Sequence, residues 1–379
     1  MMTKRLLFNK IKDLKKSILL LGPRQTGKST LIKQLRPEIE INLADQQQFL
    51  RHLSDPSLIK SMVAGRKTIF VDEVQRIPSL LNTVQYLIDE TPGVQFFLTG
   101  SSARKLKRGK ANLLPGRIVT YELGPLTHQE LGDDFEIEKA LEVGLLPGLY
   151  WEEDRQLAHK ILRTYSAAYL TEEVQSEALT KNLEGFSRFF QVTSALSGGF
   201  LDYAKFASKA MIDRSSARRY FDVLVDTLIF YRIEPFSKSK TTRLTQHPRF
   251  YFFDLGALNG SLNNFGVSSD RKVLLFEHLF LQLLLSSAKA HDHVIRTSVY
   301  RTEAGAEVDF VIEREDQVFA VEVKASKNVG KSDLTGLKSF ASFYGKTHLP
   351  MVIYLGSEDY ELEGVPIKSL SSGFRTLGY

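Results

Sequence analysis

The stretch Gly22-Pro23-Arg24-Gln25-Thr26-Gly27-Lys28-Ser29-Thr30 carries the residue types and spacing best suited to chemistry in this chain. Its pattern, G-x-x-x-x-G-K-[ST], spaces two glycines so that backbone N–H groups can close around phosphate oxygens with no side chain in the way. In such a loop Lys28 places its ammonium against the β- and γ-phosphates, and the Ser29 hydroxyl ligates Mg²⁺. A second set answers it. Thr68-Ile69-Phe70-Val71-Asp72-Glu73 is an apolar run ending in two carboxylates. Asp72 would hold Mg²⁺ through water or Ser29, and Glu73 would orient and deprotonate an attacking water.

Strands and helices must bring these groups together. Residues 17–21 form a short apolar run fit for a buried parallel strand. After the loop, Leu31, Ile32 and Leu35 fall at helical spacing, so a helix would point its N-terminus at the phosphates. Residues 38–43 read as a strand, 46–62 as a helical stretch, 79–89 as a helix and 94–102 as another apolar strand with a polar end. Alternation of this kind makes a parallel α/β sheet, in which strand C-terminal ends gather around the ligand crevice. Thr99 or Ser101 is therefore placed to sense a γ-phosphate; either hydroxyl would serve equally well as the N-cap of the next helix.

Residues 104–117 hold Arg104, Lys105, Lys107, Arg108, Lys110 and Arg117 with no acid among them. This is a solvated basic loop, a contact for nucleic-acid phosphates, or the source of an arginine acting on bound nucleotide. Arg117, after the Pro115-Gly116 turn, suits the last role, which can be worth roughly 10³–10⁵ in rate. A break at Leu146-Pro147-Gly148 places the first boundary near residue 150. Beyond it, 158–175 and 184–196 read as helices. Residues 203–210, a turn at 211–213 and a helix over 215–227 form a helix-turn-helix pattern, with Asp213 or Ser215 as the cap.

Arg214, Arg218 and Arg219 open that second helix, where a recognition helix meets DNA. A strand at 229–233, a basic loop with Lys238, Lys240 and Arg243, and a strand at 249–253 complete a winged helix. Winged helices also serve as rigid lids and protein adaptors. The last third has its own constellation. Glu277 lies on an apolar helix, and Glu307 and Asp309 share one face of a strand. A turn at 314–316 leads to a strand with Glu322 and Lys324 on one face. A hairpin brings Asp309, Glu322 and Lys324 together. Two carboxylates for Mg²⁺ and a lysine are the parts of metal-dependent phosphodiester cleavage; alternating charges on a solvated face would look the same.

With 379 residues the chain has room for roughly two or three domains. Hydrophobic content of 43% and charged content of 25% exclude a disordered or fibrous class. Cysteine is absent, which excludes disulfides and Cys-ligated metal and fits a reducing cytoplasm. The net charge of +6 hints at an anionic partner. The N-terminal residues alternate basic and apolar rather than forming a secretory signal, and the apolar helix expected over 273–285 is too short to span a bilayer. No membrane association is expected.

Taken together, Gly22 to Ser29, Phe70-Val71-Asp72-Glu73, Leu98 to Ser102 and Pro115-Gly116-Arg117 resemble the AAA+ superfamily ATPases of bacteria and archaea. The resembling group joins the ATPase to a winged helix and a restriction-endonuclease-like domain of the PD-(D/E)XK type. Here Val308 precedes Asp309 where the motif name expects proline. The resemblance implies an α/β chain with a parallel-sheet P-loop domain (1–150), a helical winged-helix domain (151–255) and an α/β nuclease-like domain (256–379). It implies ATP and Mg²⁺ at Lys28, Ser29, Asp72 and Glu73, with Arg117 as an arginine finger in a homo-oligomer, such as a hexameric ring. Glu277, Asp309, Glu322 and Lys324 become a candidate nuclease site. The first functional reading is a DNA-binding motor or switch. The alternatives are a signalling NTPase recruiting a protein partner and an ATP-gated nuclease.

Overall fold

The computed structural model describes residues 3–101, 114–176, 182–236 and 248–379. Its first sheet is built around the apolar run at Ser17–Leu21 (β1), every residue of which is buried. A strand covered on both faces belongs inside a parallel sheet. There it lies, with β2 (Ile39–Asn42), β3 (Thr68–Asp72), β4 (Gln95–Gly100) and β5 (Ile118–Glu122) in the order β2-β3-β4-β1-β5. All pairs are parallel, so β1, β3 and β4 end on one edge, with β4 between the other two.

Helices α1 (Leu6–Ile11), α2 (Lys28–Lys33), α3 (Gln46–Ser54), α4 (Leu58–Val63) and α5 (Leu80–Glu90) accompany this sheet. The pattern over 46–62 predicts one helix; there are two. Pro56 drives Asp55 out of the helical region, to φ −139° and ψ 87°, and ends α3 there.

After short helices at His128–Leu131, Ile137–Val143 and Pro147–Tyr150 come four longer ones: α6 (Arg155–Ser176), α7 (Leu183–Ala195), α8 (Tyr203–Ala210) and α9 (Arg214–Asp226). Asp202 caps α8 by accepting from the Ala204 and Lys205 amides, and Asp213 caps α9 by accepting from Ser216. Met211 makes the turn between them at φ 54°. An antiparallel pair, β6 (Phe230–Pro235) and β7 (Arg249–Phe252), comes next. Phe230 packs edge to face against Phe250 and Phe252, which meet Phe221 of α9 and Phe190 of α7 in the same way.

The C-terminal part contains α10 (Leu255–Leu262), α11 (Ser269–His291), two shorter helices at Thr335–Tyr344 and Leu370–Thr376, and the strands β8 (Arg296–Arg301), β9 (Glu307–Arg314), β10 (Gln317–Lys324), β11 (Leu349–Tyr354), β12 (Tyr360–Leu362) and β13 (Val365–Ser369). The strands and the pair β6 and β7 make up its sheet, in the order β12-β13-β11-β10-β9-β8-β6-β7. The pair β6 and β7, expected to close a separate middle domain, thus continues the C-terminal sheet through parallel contact of Glu234 with Ser298. One apolar core runs from Leu126 to Tyr379.

Helix α11 corrects another expectation. It has 23 residues rather than the 13 of 273–285, and is long and apolar enough to cross a bilayer by length and composition. Its most apolar window is 72% buried inside the protein. Polar side chains on it have internal partners: Glu277 accepts from Arg249 at 2.7 Å, His278 Nε2 meets the Phe252 carbonyl at 2.6 Å, and Gln282 donates to Asp254 at 2.8 Å.

Candidate functional site

The phosphate loop leaves β1 at Gly22, with φ 155°. A Cβ there would stand 2.3 Å from the Leu123 carbonyl oxygen, so only glycine fits. Gly27, at φ 89°, begins α2 in the left-handed region. Between them the loop winds around its own lysine. Lys28 Nζ donates to the Gly22 and Pro23 carbonyls at 2.8 Å each, and Thr26 Oγ1 donates to Pro23 at 2.9 Å. The loop is braced from behind by Arg5, which donates to the Thr26 carbonyl at 2.6 Å and the Gly124 carbonyl at 2.9 Å, and pairs with buried Glu130 at 2.9 Å. On the other flank the Tyr165 hydroxyl donates to the Arg24 carbonyl at 3.2 Å.

The two motifs meet. Ser29 Oγ donates to Asp72 Oδ1 at 3.0 Å. A hydroxyl and a carboxylate so close offer hard oxygen ligands on one side of a Mg²⁺ ion, which keeps its other positions for water and phosphate. Glu73 takes a left-handed backbone at φ 59°, a conformation that costs a non-glycine residue roughly 1–3 kcal/mol. Its carboxylate accepts from Gln75 Nε2, which also donates to Ser101 Oγ at 3.1 Å. Thr99 Oγ1 donates to Asp72 Oδ1 and accepts from the Glu73 amide at 3.3 Å.

Thr99 and Ser101 are fully buried behind Asp72 and Gln75. Neither lines the cleft: Thr99 bonds to the acidic pair directly, and Ser101 meets it only through Gln75. That cleft has a volume of about 1270 Å³, and Arg24, Lys28, Ser29, Asp72, Glu73 and Gln75 are among its walls. Gln25 and Thr30 also face it. Beside it a cavity of about 330 Å³ is bounded by Arg5, Gly27, Leu31 and Trp151. Trp151 Nε1 donates to Thr3 Oγ1 at 2.7 Å. The sequence did not single out Gln75, Arg5 or Trp151. Gln75, two residues past the acidic pair, and Trp151, the single tryptophan, left a trace there; Arg5 was indistinguishable from its basic neighbours.

Arg117 lies elsewhere. Ile118 pairs with Ser17, at the start of β1, whereas the loop follows its end. About five residues of strand, or roughly 16 Å, separate Arg117 from Gly22, and its guanidinium pairs with Asp89 at 2.7 Å. It does not reach this chain's own cleft; a role on nucleotide is open to it only across a subunit boundary. Arg104, Lys105, Lys107, Arg108, Lys110, Lys238, Lys240 and Arg243 lie outside the described residues. Arg214, Arg218 and Arg219 are exposed on the first turns of α9.

Glu277, Asp309, Glu322 and Lys324 do come together. Phe310 faces Val321 across the β9–β10 hairpin, which sets Asp309 and Glu322 side by side. Asp309 Oδ2 accepts from the Val323 amide at 2.8 Å, and Lys324 pairs with Glu322 at 2.8 Å. An unexpected cation joins them. Arg249 from β7 pairs with Glu277 at 2.7 Å, approaches Asp309 to 3.8 Å and contacts Glu307. Burial, reinforced by the Asp309 charge, pushes Glu277 up to about 7 and Glu322 up to about 8. Burial also raises Asp309. The Mg²⁺ expected on Asp309 and Glu322 therefore meets a guanidinium already among the acids. Among the described residues, no three His, Cys, Asp or Glu side chains are grouped to hold a metal ion.

Residues 14–132 match a family model described as an AAA domain. Residues 134–268 and 274–372 match two models described as domains of unknown function, DUF8612 and DUF4143. The chain is similar to the uncharacterized protein Rv2008c of Mycobacterium tuberculosis, at 26% identity over 81% of this chain and 70% of that one. It is also similar to the uncharacterized protein MJ1544 of Methanocaldococcus jannaschii, at 23% identity over 81% and 73%. A crystal structure of NtrX from Brucella abortus in complex with ATP shares 12% identity over 57% of this chain and 66% of that chain, with a TM-score of 0.26, too low to bear on the fold. Phosphate loop, parallel strand order and family match agree that residues 14–132 are an AAA-type P-loop domain of the ATPase class.

Proposed function

We propose that this chain binds ATP with Mg²⁺, hydrolyses it, and uses the cycle to act on DNA. The observation that carries the ATP reading is the meeting of Ser29 and Asp72 at 3.0 Å beside a loop wrapped around Lys28. Bound Mg²⁺ would neutralise charge on the phosphates. Lys28 exchanges two carbonyl partners for phosphate oxygens, and the loop amides hold the remaining charge. Glu73 accepts the proton of a water in the cleft, held in orientation by Gln75. The cavity beside Trp151 has room for a base next to the phosphate cradle.

Arg117 fits an arginine finger only if a second copy presents it, which favours a homo-oligomer, a hexameric ring among the possibilities. The DNA reading rests on the α8-turn-α9 pair followed by the β6–β7 strands, in the manner of a winged helix, with exposed Arg214, Arg218 and Arg219 at the start of α9.

The test has two arms. Lys28→Ala is expected to weaken ATP binding, and Glu73→Gln to keep binding while stopping turnover; unchanged hydrolysis in both refutes the site. With labelled duplex DNA, affinity is expected to fall steeply with salt, about one counterion per phosphate contacted. No binding at moderate salt refutes the DNA reading and favours an NTPase that recruits a protein.

A further inference from the structure

Glu277, Glu307, Asp309 and Glu322 converge where α11, β7, β9 and β10 meet, far from the phosphate loop in the chain. Acids brought this near one another are the makings of a divalent-cation site, although their oxygens are not grouped as such an ion, binding at about 2.0–2.6 Å, requires. The position between the acids is filled by the chain itself. A single nitrogen, Arg249 Nη1, lies 2.7 Å from Glu277 Oε1 and 3.8 Å from Asp309 Oδ1, while Nη2 meets Glu307. The Tyr251 hydroxyl donates to the same Glu277 oxygen at 2.5 Å.

Arg249 is deeply set, its side chain only 12% exposed, with Phe200 stacked 5.1 Å from the guanidinium. Burial alone would disfavour its charge, but the surrounding acids and Tyr251 hold it protonated. Its strand is also held on both edges. β6 pairs with one side, and on the other the Gly198 amide donates to the Phe250 carbonyl and the Leu201 amide to the Pro248 carbonyl, at 2.7 Å each. A metal ion entering here would have to displace a buried guanidinium from the acids it pairs with, and breaking a buried ion pair is strongly unfavourable. The acids nevertheless retain capacity. Glu322, only 9% exposed, keeps its Oε2 atom without a hydrogen-bond partner among the described residues.

We propose that Arg249 is the resident cation of this cluster. It stands where a divalent metal would sit and clasps β7 to the C-terminal sheet, so the wild-type chain takes no divalent metal there, and removing the arginine creates a site for one. The guanidinium is suited to this because its forked donors serve several carboxylates at once, where a metal would need their oxygens drawn in to bonding distance.

The test uses Mn²⁺ alone, with full-length, nucleotide-free protein and bound ion counted from the loss of the free-ion electron paramagnetic resonance signal. Wild type and Asp309→Asn are expected to bind Mn²⁺ identically. Arg249→Met is expected to gain a single ion per chain, weakened about tenfold or more by adding Asp309→Asn. Wild-type binding that Asp309→Asn removes overturns the proposal. So does an Arg249→Met variant with a cooperative melt that gains no ion. Should that variant fail to fold, comparison of wild type with Asp309→Asn still decides whether the cluster is closed to metal.

Discussion

Replacing Gln75 by methionine keeps the length and volume of the side chain and removes only its amide. In the wild type that amide donates to the Glu73 carboxylate and to Ser101 Oγ at 3.1 Å. Gln75 is 7% exposed, so water does not freely take its place. A hydrogen bond to a charged group contributes about 1.5–3 kcal/mol, and losing it where the base must be aimed corresponds to roughly a tenfold to hundredfold fall in kcat. The phosphate contacts of Lys28 and the loop are untouched, so KM and ATP affinity are expected to stay near wild type. Steady-state phosphate release gives kcat and KM, and binding is read separately by equilibrium titration. A kcat within about twofold of wild type, or one that rises, refutes the claim that Gln75 orients Glu73. A KM that rises with unchanged kcat places Gln75 in binding instead.

Trp151 is the single tryptophan and borders the cavity beside Gly27; ATP titration is expected to change its fluorescence, and Lys28→Ala to shift that change to higher ATP, whereas a signal insensitive to saturating ATP removes the base from this cavity. Glu277 and Glu322 are raised to about 7 and about 8 from 4.5, so the folded chain keeps protons that the unfolded chain has released, and stability falls as pH rises from 4.5 through those values. Glu322→Gln cannot titrate, and urea unfolding at about pH 5 and about pH 9 is expected to show a flatter fall; an identical pH dependence refutes the assignment.

The nucleotide cleft and the acidic cluster share one structural member. Helix α11 carries Glu277 in the cluster and, about 18 Å further along its axis, Lys289. Lys289 pairs with Glu122 at 2.9 Å and donates to the Tyr231 hydroxyl at 3.1 Å. Glu122 ends β5, and the next residue, Leu123, walls Gly22. The P-loop sheet is thus seated directly on the core helix of the C-terminal part, with Gly124 packed against Ser286 so closely that a Cβ would come within 2.7 Å of its hydroxyl.

What the sequence determined by itself was local. A loop with Gly22 and Gly27 at fixed spacing can bind phosphate because backbone sterics dictate it, and the apolar run at Ser17–Leu21 must be buried because every position in it is hydrophobic or small. The helix cap at Asp213 and the β9–β10 hairpin were legible for the same reason: caps and turns are settled by residues a few positions apart. Tertiary structure decided everything that depends on residues distant in the chain. Arg249 enters the cluster of Glu277 and Asp309, Arg5 braces Thr26, and β6 joins the sheet of β8 only because separate segments fold against one another. A charged side chain looks the same in sequence whether water or a buried acid will surround it; its partner is chosen by the packing of the apolar faces that carry it.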